Sequence, residues 1–544
     1  MTPERLFLYD TTLRDGQQTA GVDFSAVDKA RIAVALDGLG LDYIEGGWPG
    51  ANPTDADFFA NPPTLTRATF TAFGMTKRTG RSAANDDTLA GVVNAGTPAV
   101  CLVGKTHDFH VTTALGVTLA ENLAAIADSV AHLVAQGREP LFDAEHFFDG
   151  WKANRDYALA CVLAAAEAGA RWIVLCDTNG GTLPPEIHAI VTDVLRIIPG
   201  DRLGIHCHDD CGMAVAGSLA AVDAGARQIQ GTLNGLGERC GNANLVSLLP
   251  TLLLKEPYRS KYAISVAEGD LPRLTKISRM LDDILNRTPN RQAPYVGSAA
   301  FTHKAGLHAS AILKDPRTYE HIPPERVGNE RVVPMSNQAG LSNLRGRLAE
   351  MGLTIDAHDP RLPRILDEVK QREDQGFAYD GAQASFELLA RAKLGALPRF
   401  FDIERYRVMV ERRTNAKGER ITVSEAVVVA RIDGERLLSV SESHDPDTEA
   451  DQGPVNALSR ALAKDLGRYQ TYIDDMKLVD FKVRITSGGT EAMTRVTIDH
   501  SDGEGKTWTT VGVSANIVDA SFQALLDGVI WKLIRDGAAA RTRT

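Results

Sequence analysis

The chain has 544 residues, 44% of them hydrophobic and 24% charged, the composition of an ordinary globular protein with about three folding units. With 70 acidic against 59 basic residues the net charge is −11, so the average field repels a polyanion and nucleic-acid binding is disfavoured. The sequence has no apolar run of about eighteen residues, and its start lacks the basic, apolar and small-residue segments of a secretory signal. No membrane association is therefore expected, and the cytoplasm is the expected compartment. Six cysteines, at 101, 161, 176, 207, 211 and 240, are irregularly spaced in the first half, which suits buried free thiols rather than a disulfide framework.

From residue 5 to about 270, short apolar runs alternate with longer amphipathic stretches. Strands are predicted at Leu6–Tyr9, Tyr43–Glu45, Thr69–Phe73, Ala99–Val103, Pro140–Asp143, Trp172–Cys176, Leu203–His206 and Gln228–Leu233. Helices are predicted between them, including Ser25–Leu39, Thr118–Gln136, Asn154–Ala168, Pro185–Ile198 and Val215–Ala224. Eight such units over residues 1–270 match an α/β protein built as a (β/α)8 TIM barrel. A doubly wound open sheet would instead carry a Gly-rich phosphate loop after its first strand, and Asp10-Thr11-Thr12-Leu13-Arg14-Asp15-Gly16 is not one.

Residues 271–398 lack alternating strand patterns and read as helical linker subdomains, with turns at Pro289–Pro294 and His321–Pro324. Residues 399–544 read as an α+β domain, with strands around Tyr406–Glu411, Ala426–Ile432 and Phe481–Ile485. An internal repeat is expected there. One copy opens at Glu425-Ala426 and ends in a helix at Asn456–Leu462, and the other opens at Glu491-Ala492 and ends at Asp519–Leu525. The two helices share Ala-x-x-x-Ala-Leu.

Polar residues follow directly on the barrel strands: Arg14 and Asp15 after the first, Glu145 after the fifth, Asp177-Thr178-Asn179 after the sixth, His206 and His208 in the seventh. In a barrel those ends share one face, where chemistry is done. Residues two apart on a strand point the same way, so His206 and His208 form half of a metal site and Cys207 faces away. Asp15 can complete a set of two histidines and one carboxylate, which leaves open positions on a divalent ion. Arg14 beside it offers a fixed fork of donors to a carbonyl or developing alkoxide. The Gly-rich stretch Gly235–Asn244 enters a helix after the eighth strand and suits an anion or a ligand backbone.

These residues carry a resemblance. Leu13-Arg14-Asp15-Gly16-x-Gln18 followed by Lys29, and Leu203-x-x-His206-x-His208-Asp209-Asp210-x-Gly212, resemble the two signatures of the isopropylmalate/homocitrate synthase family, and Gly237-Glu238-x-x-Gly241-Asn242 is a further shared element. The resemblance covers the whole chain: it implies a metal-dependent barrel, a helical linker, and a C-terminal regulatory dimerisation domain with an internal repeat. It also implies an acyltransferase that condenses acetyl-CoA with a 2-oxoacid.

By that resemblance Asp15, His206, His208 and Asn242 hold the ion (Mn2+, Mg2+ or Zn2+) and Arg14 stabilises the alkoxide. His110 and Thr178 bind the substrate carboxylate, and Glu145 orients substrate or acetyl group. His308 and Tyr319 of the linker serve proton removal from the acetyl methyl. Relatives often carry Gln-Asp after that histidine, where this chain has Ala309-Ser310. Within the family, Gly46-Gly47-Trp48-Pro49, Gly104–Val111 and Asp177-Thr178-Asn179-Gly180-Gly181 resemble the branch that uses pyruvate, with isoleucine as effector and a homodimer as the assembly. The alternatives are a 2-isopropylmalate or homocitrate synthase and, on the same barrel, an acyl-CoA lyase; a lyase would carry Gly-Gly-Cys-Pro where this chain has Glu238-Arg239-Cys240-Gly241-Asn242.

Overall fold

The computed structural model describes residues 3–335, 340–356, 358–414, 418, 420–443, 453–486 and 492–541. They form two compact units: residues to 301 with 322–330, and residues 302–321 with those from 331 on.

The first unit is a closed barrel of eight parallel strands in sequence order: β1 (Phe7–Asp10), β2 (Tyr43–Glu45), β3 (Thr69–Met75), β4 (Ala99–Lys105), β5 (Glu139–Glu145), β6 (Trp172–Asp177), β7 (Leu203–Cys207) and β8 (Gln228–Gly231). The register Phe7↔Gln228 through Asp10↔Gly231 closes it. Every residue of β6, β7 and β8 is buried, because a strand inside a ring of helices has no solvent face. Tyr9, Tyr43, Phe73, Leu141 and Trp172 fill the barrel's interior, and a larger core packs the helices on its outside.

Local signals start the helices. Ser25 and Asp28 form a capping box at α1 (Ala26–Leu39), which stops at Gly40 with φ +101°. Thr118 and Glu121 do the same for Leu119–Ala135. All eight expected strands are present; the last ends at Gly231 instead of Leu233, where a tight turn over Leu233–Gly235 takes over. Cys101, Cys161, Cys176 and Cys207 are buried as expected, but Cys211 and Cys240 are exposed, because both fall on loops beyond the strand ends. The helix Leu274–Ile284 also packs with this unit through Leu274, Ile277 and Leu281. Among the described residues no single helix is long and apolar enough to cross a membrane.

The second unit holds helices α2 (Leu341–Glu350), α3 (Arg361–Asp374) and α4 (Gln383–Leu394), then two similar modules. In the first module, β9 (Asp402–Thr414), β10 (Arg420–Ile432) and β11 (Glu435–Glu442) form an antiparallel sheet followed by α5 (Pro454–Lys464). In the second, β12 (Lys477–Ile485), β13 (Thr494–Ser501) and β14 (Thr507–Ser514) are followed by α6 (Ile517–Arg535). The shared Ala-x-x-x-Ala-Leu is the buried stripe of each helix: Ala457, Ala461 and Leu462 in one, Ala520, Ala524 and Leu525 in the other, all at most 2% exposed.

The copies open earlier than the sequence suggests, at Asp402 and Lys477. Glu425-Ala426 is the middle of β10, and Glu491 lies outside the described residues, as does Ser487-Gly488-Gly489-Thr490. Gly512 lets β14 approach α6, since a Cβ there would sit 2.0 Å from the Ala520 carbonyl oxygen.

Candidate metal centre and acceptor pocket

Asp15, His206 and His208 bring one ligand atom each to within 4.8 Å of one another, all three residues buried. Asp15 Oδ2 is 3.2 Å from His206 Nε2 and 3.7 Å from His208 Nε2. His206 is presented by β7, and His208 lies one step beyond it in an isolated bridge with Asn242. Gln230 of β8 meets His206 Nδ1 at 2.8 Å, which leaves Nε2 turned towards the carboxylate.

Three buried atoms here have no hydrogen-bond partner: Asp15 Oδ1, His208 Nδ1 and Asn242 Oδ1. Buried polar groups are ordinarily paired, so unpaired oxygens of Asp15 and Asn242 and an unpaired nitrogen of His208, beside His206, fit a divalent cation. The Gly-rich loop serves this cluster. A Cβ on Gly241 would sit 2.0 Å from the Gly235 carbonyl oxygen, and one on Gly237 2.1 Å from Asn242 Nδ2, while Asn242 Nδ2 donates to Leu236 O at 3.1 Å.

Arg14 is fixed by residues the sequence reading did not single out. Its Nε donates to Glu45 Oε2 at 2.6 Å, and Glu45 also accepts from the Tyr9 hydroxyl at 2.7 Å and the Thr11 hydroxyl at 2.6 Å. The guanidinium carbon lies 3.9 Å from the centroid of the Phe73 ring, a cation–π arrangement. Asp143 Oδ2 is 4.0 Å from Arg14 Nη2, and Asp143 Oδ1 accepts from Gln230 Nε2 at 3.0 Å. Burial opposes ionisation of Asp15, but Arg14 and the two histidines outweigh it and hold the carboxyl well below its usual range. Burial pushes Asp143 up to about 6, with Glu45 adding to the rise. The only earlier hint of Glu45, Asp143 and Gln230 was their place at or near strand ends.

Lys29, fully buried on α1, holds this corner. Its Nζ donates to the carbonyls of Leu13 at 2.9 Å and Gly46 at 3.1 Å and pairs with Asp55. The loop carrying Arg14 and Asp15 is thereby tied to the end of β2.

A cavity of about 580 Å3 opens over the cluster, lined among others by Arg14, Asp15, Trp48, Phe73, Glu145, Thr178, His206 and His208. Trp48 forms part of its wall and meets Phe73 edge-on at 5.8 Å between ring centroids. Glu145 at the end of β5 pairs with Lys105 at the end of β4, 2.6 Å apart. His110 does not line the cavity; its ring stacks on His146 with centroids 3.9 Å apart and planes 7° from parallel. A wide turn of π-helix over Val111–Leu115 follows it, a distortion frequent at functional sites.

The barrel thus gathers Arg14, Asp15, Glu145, Thr178, His206 and His208 around one cavity, with Asn242 bridged to His208. His308 and Tyr319 belong to the second unit, where their rings stack with centroids 4.0 Å apart. In the same unit His303 Nε2 lies 3.3 Å from Glu320 Oε1.

Three family models match along the chain: HMGL-like over residues 5–280, homocitrate synthase post-HMGL domain-like over 295–376, and LeuA allosteric (dimerisation) domain over 380–531. The (R)-citramalate synthase of Synechocystis sp. is 46% identical over 539 residues, covering 97% of this chain and 96% of the relative. That of Aquifex aeolicus is 45% identical over 537 residues, covering 98% of each. The chain belongs to the (R)-citramalate synthase family. Among solved structures, a hydroxymethylglutaryl-CoA lyase from Pseudomonas aeruginosa covers 53% of this family member and 95% of its own length, at 19% identity and a TM-score of 0.45. The three matched segments follow the order barrel, helical linker and repeat domain.

Proposed function

We propose that this family member condenses pyruvate with acetyl-CoA and water, giving citramalate and CoA for isoleucine biosynthesis. Identity of 45–46% to relatives of that name over nearly the full length supports the reading. The observation within the site that carries it is the cluster of Asp15, His206 and His208 with Arg14 beside it on one cavity, whose wall includes Trp48 and Phe73. The identity of the acceptor is the finer part of the proposal, since each methylene is worth only about 1–3 kcal/mol of discrimination.

Asp15, His206 and His208, with Asn242 beside them, would hold a divalent ion (Mn2+, Mg2+ or Zn2+), whose Lewis acidity polarises the keto carbonyl of the acceptor. Thr178, in the cavity wall, holds the acceptor carboxylate, and Glu145 orients the acetyl group; His110, stacked on His146 and outside that wall, supports the site rather than touching the carboxylate. His308 and Tyr319 serve removal of the methyl proton from acetyl-CoA, and the resulting enolate carbon attacks the keto carbon. Arg14, locked by Glu45 and backed by Phe73, places donors where the alkoxide develops, so no reorganisation is needed at that moment. Water then cleaves the thioester and releases CoA.

In the same reading, residues 1–270 are the catalytic domain, 271–398 the linker and 399–544 a regulatory dimerisation domain that binds isoleucine, and the protein works in the cytoplasm as a homodimer. A carboxylate of the effector at the start of α6 would share that turn with the Asn516 side chain, which accepts from Val518 N–H at 2.8 Å. Incubation with pyruvate, acetyl-CoA and Mn2+ tests the chemistry: thiol release and citramalate should appear together and stop when the metal is chelated. Full activity in a verified metal-free sample would overturn the mechanism. Asp15→Ala, His206→Ala and His208→Ala should each lose bound metal and turnover, since each removes one of few ligands; metal analysis of the folded variants checks this independently of rate.

A further inference from the structure

His146 follows the last residue of β5 and starts the helix Phe147–Ala153 in a left-handed conformation, φ +59° and ψ +30°. Non-glycine residues adopt it uncommonly, asparagine, aspartate and histidine more readily than the rest, and such positions gather where the surrounding structure fixes a functional group. The backbone N–H of His146 donates to Thr178 Oγ1 at 2.8 Å. Its ring stacks on His110, and its Nδ1 is buried with no partner. It is also the chain neighbour of Glu145. His146 therefore touches or adjoins three residues given roles in the site above, without lining the cavity itself.

A hydroxyl offers one hydrogen and two acceptor lone pairs. The His146 amide occupies a lone pair of Thr178, which leaves the Thr178 hydrogen free to point into the cavity. Arg239 holds the same residue from its other side, donating Nη2 to the Thr178 carbonyl at 2.7 Å. A threonine held at both its backbone and its hydroxyl, with its donor unspent, is suited to a carboxylate oxygen.

We propose that His146 is a positioning residue for the 2-oxoacid carboxylate: its left-handed backbone aims the Thr178 hydroxyl, and its ring fixes His110. The inference rests on the pyruvate-condensing reading for the identity of the ligand, but its geometry applies to any 2-oxoacid. Burial is the largest influence on His146 and brings it down to about 4; Glu145 and Asp149 oppose the fall, while His110 and Lys105 add to it. Burial likewise lowers His110, with Lys105 and His107 adding and Glu145 and Asp149 opposing. Two neutral rings stack without charge repulsion, in keeping with a holding role rather than proton transfer.

Four variants separate backbone from ring. His146→Phe keeps the stack, His146→Asn accepts the left-handed backbone but loses the ring, His146→Gly relieves the backbone, and His146→Val disfavours it. KM for the 2-oxoacid should rise in the order Phe, Asn and Gly, Val, reaching about tenfold or more for Val, the loss expected when a hydrogen bond to a charged group is misdirected. KM for acetyl-CoA and kcat should stay within about threefold, because uniform binding of one substrate is what is lost. In a Thr178→Val background, His146→Val should add less than it costs alone, since the share that acts through the hydroxyl is already lost and only the ring's share remains.

The kinetics are read with whichever 2-oxoacid the wild type turns over fastest. An acceptor other than pyruvate then overturns the activity reading alone. If His146→Val leaves the 2-oxoacid KM unchanged, adds fully to Thr178→Val, or lowers kcat and raises both KM values together, the positioning role is wrong. Should His146→Val fail to fold, the Asn variant decides: an unchanged KM there, with the ring gone, contradicts the role assigned to the ring.

Discussion

Glu45 is the residue on which the oxyanion side of the site depends. It is fully buried and accepts from Tyr9, Thr11 and Arg14 at once. Glu45→Gln keeps the shape but replaces the carboxylate's acceptor pair with one acceptor and one donor, so at least one of the three donors loses its partner. With Arg14 mispositioned, kcat should fall by about tenfold to a hundredfold while metal content stays at the wild-type level, and steady-state kinetics beside metal analysis checks both.

A second residue-scale expectation concerns pH. Burial pushes Asp527 on α6 up to about 7, against the opposing hydrogen bond from Ser385 and the charge of Arg372. Its folded pKa lies above the unfolded value, so the folded unit binds the proton more tightly. Its contribution is fullest at low pH and declines as pH rises from about 4 through about 7, by at most about 1.4 kcal/mol per pH unit. Asp527→Asn should therefore melt higher than wild type at pH 8 and lose that advantage near pH 5. Melting curves that differ more at pH 5 than at pH 8 would contradict the assignment.

At the scale of elements, each sheet of the second unit is covered by a helix and leaves apolar side chains exposed: Leu438 is 54% exposed, Val479 59% and Ile485 66%. Exposed apolar strands of this kind belong at an interface or invite aggregation. If the protein is the homodimer proposed above, Ile485→Asp should shift it towards monomer in light scattering, with the barrel's metal content unchanged; a mass equal to that of the wild type would contradict an interface at this strand.

The elements also explain what the sequence disclosed. The barrel strands were legible because parallel strands buried on both faces read as continuous apolar runs, and His206-x-His208 because a two-residue period puts both imidazoles on one side. Glu45, Asp143 and Gln230 were hidden inside those same runs, where a polar residue pointing into the barrel looks like an interruption. His146 was hidden because histidine's preference for the left-handed region is too weak to mark a single position. Strands β11, β13 and β14 escaped because Ser, Thr and Gly dilute their alternation, as in Thr507-Trp508-Thr509-Thr510-Val511-Gly512. Cys211 and Cys240 were misread because cysteine's general tendency to be buried was applied to all six, although Gly212 and the Gly-rich stretch around Gly241 mark loops beside them.

For the whole molecule, three matched segments in one chain join a barrel that can hold a metal and a 2-oxoacid to a repeat domain of the allosteric type. Trp48 and Phe73 meet in the cavity wall and Arg14 lies over Phe73, so a change in that wall also reaches the guanidinium. Acceptor choice and catalysis should therefore rise and fall together. The most direct test is kcat/KM for pyruvate, 2-oxobutyrate, 2-oxoisovalerate and 2-oxoglutarate with saturating acetyl-CoA and Mn2+, followed by thiol release. Pyruvate should give the highest value, with about tenfold to two-hundredfold lost per added methylene; a higher kcat/KM for 2-oxoisovalerate or 2-oxoglutarate would contradict the assignment.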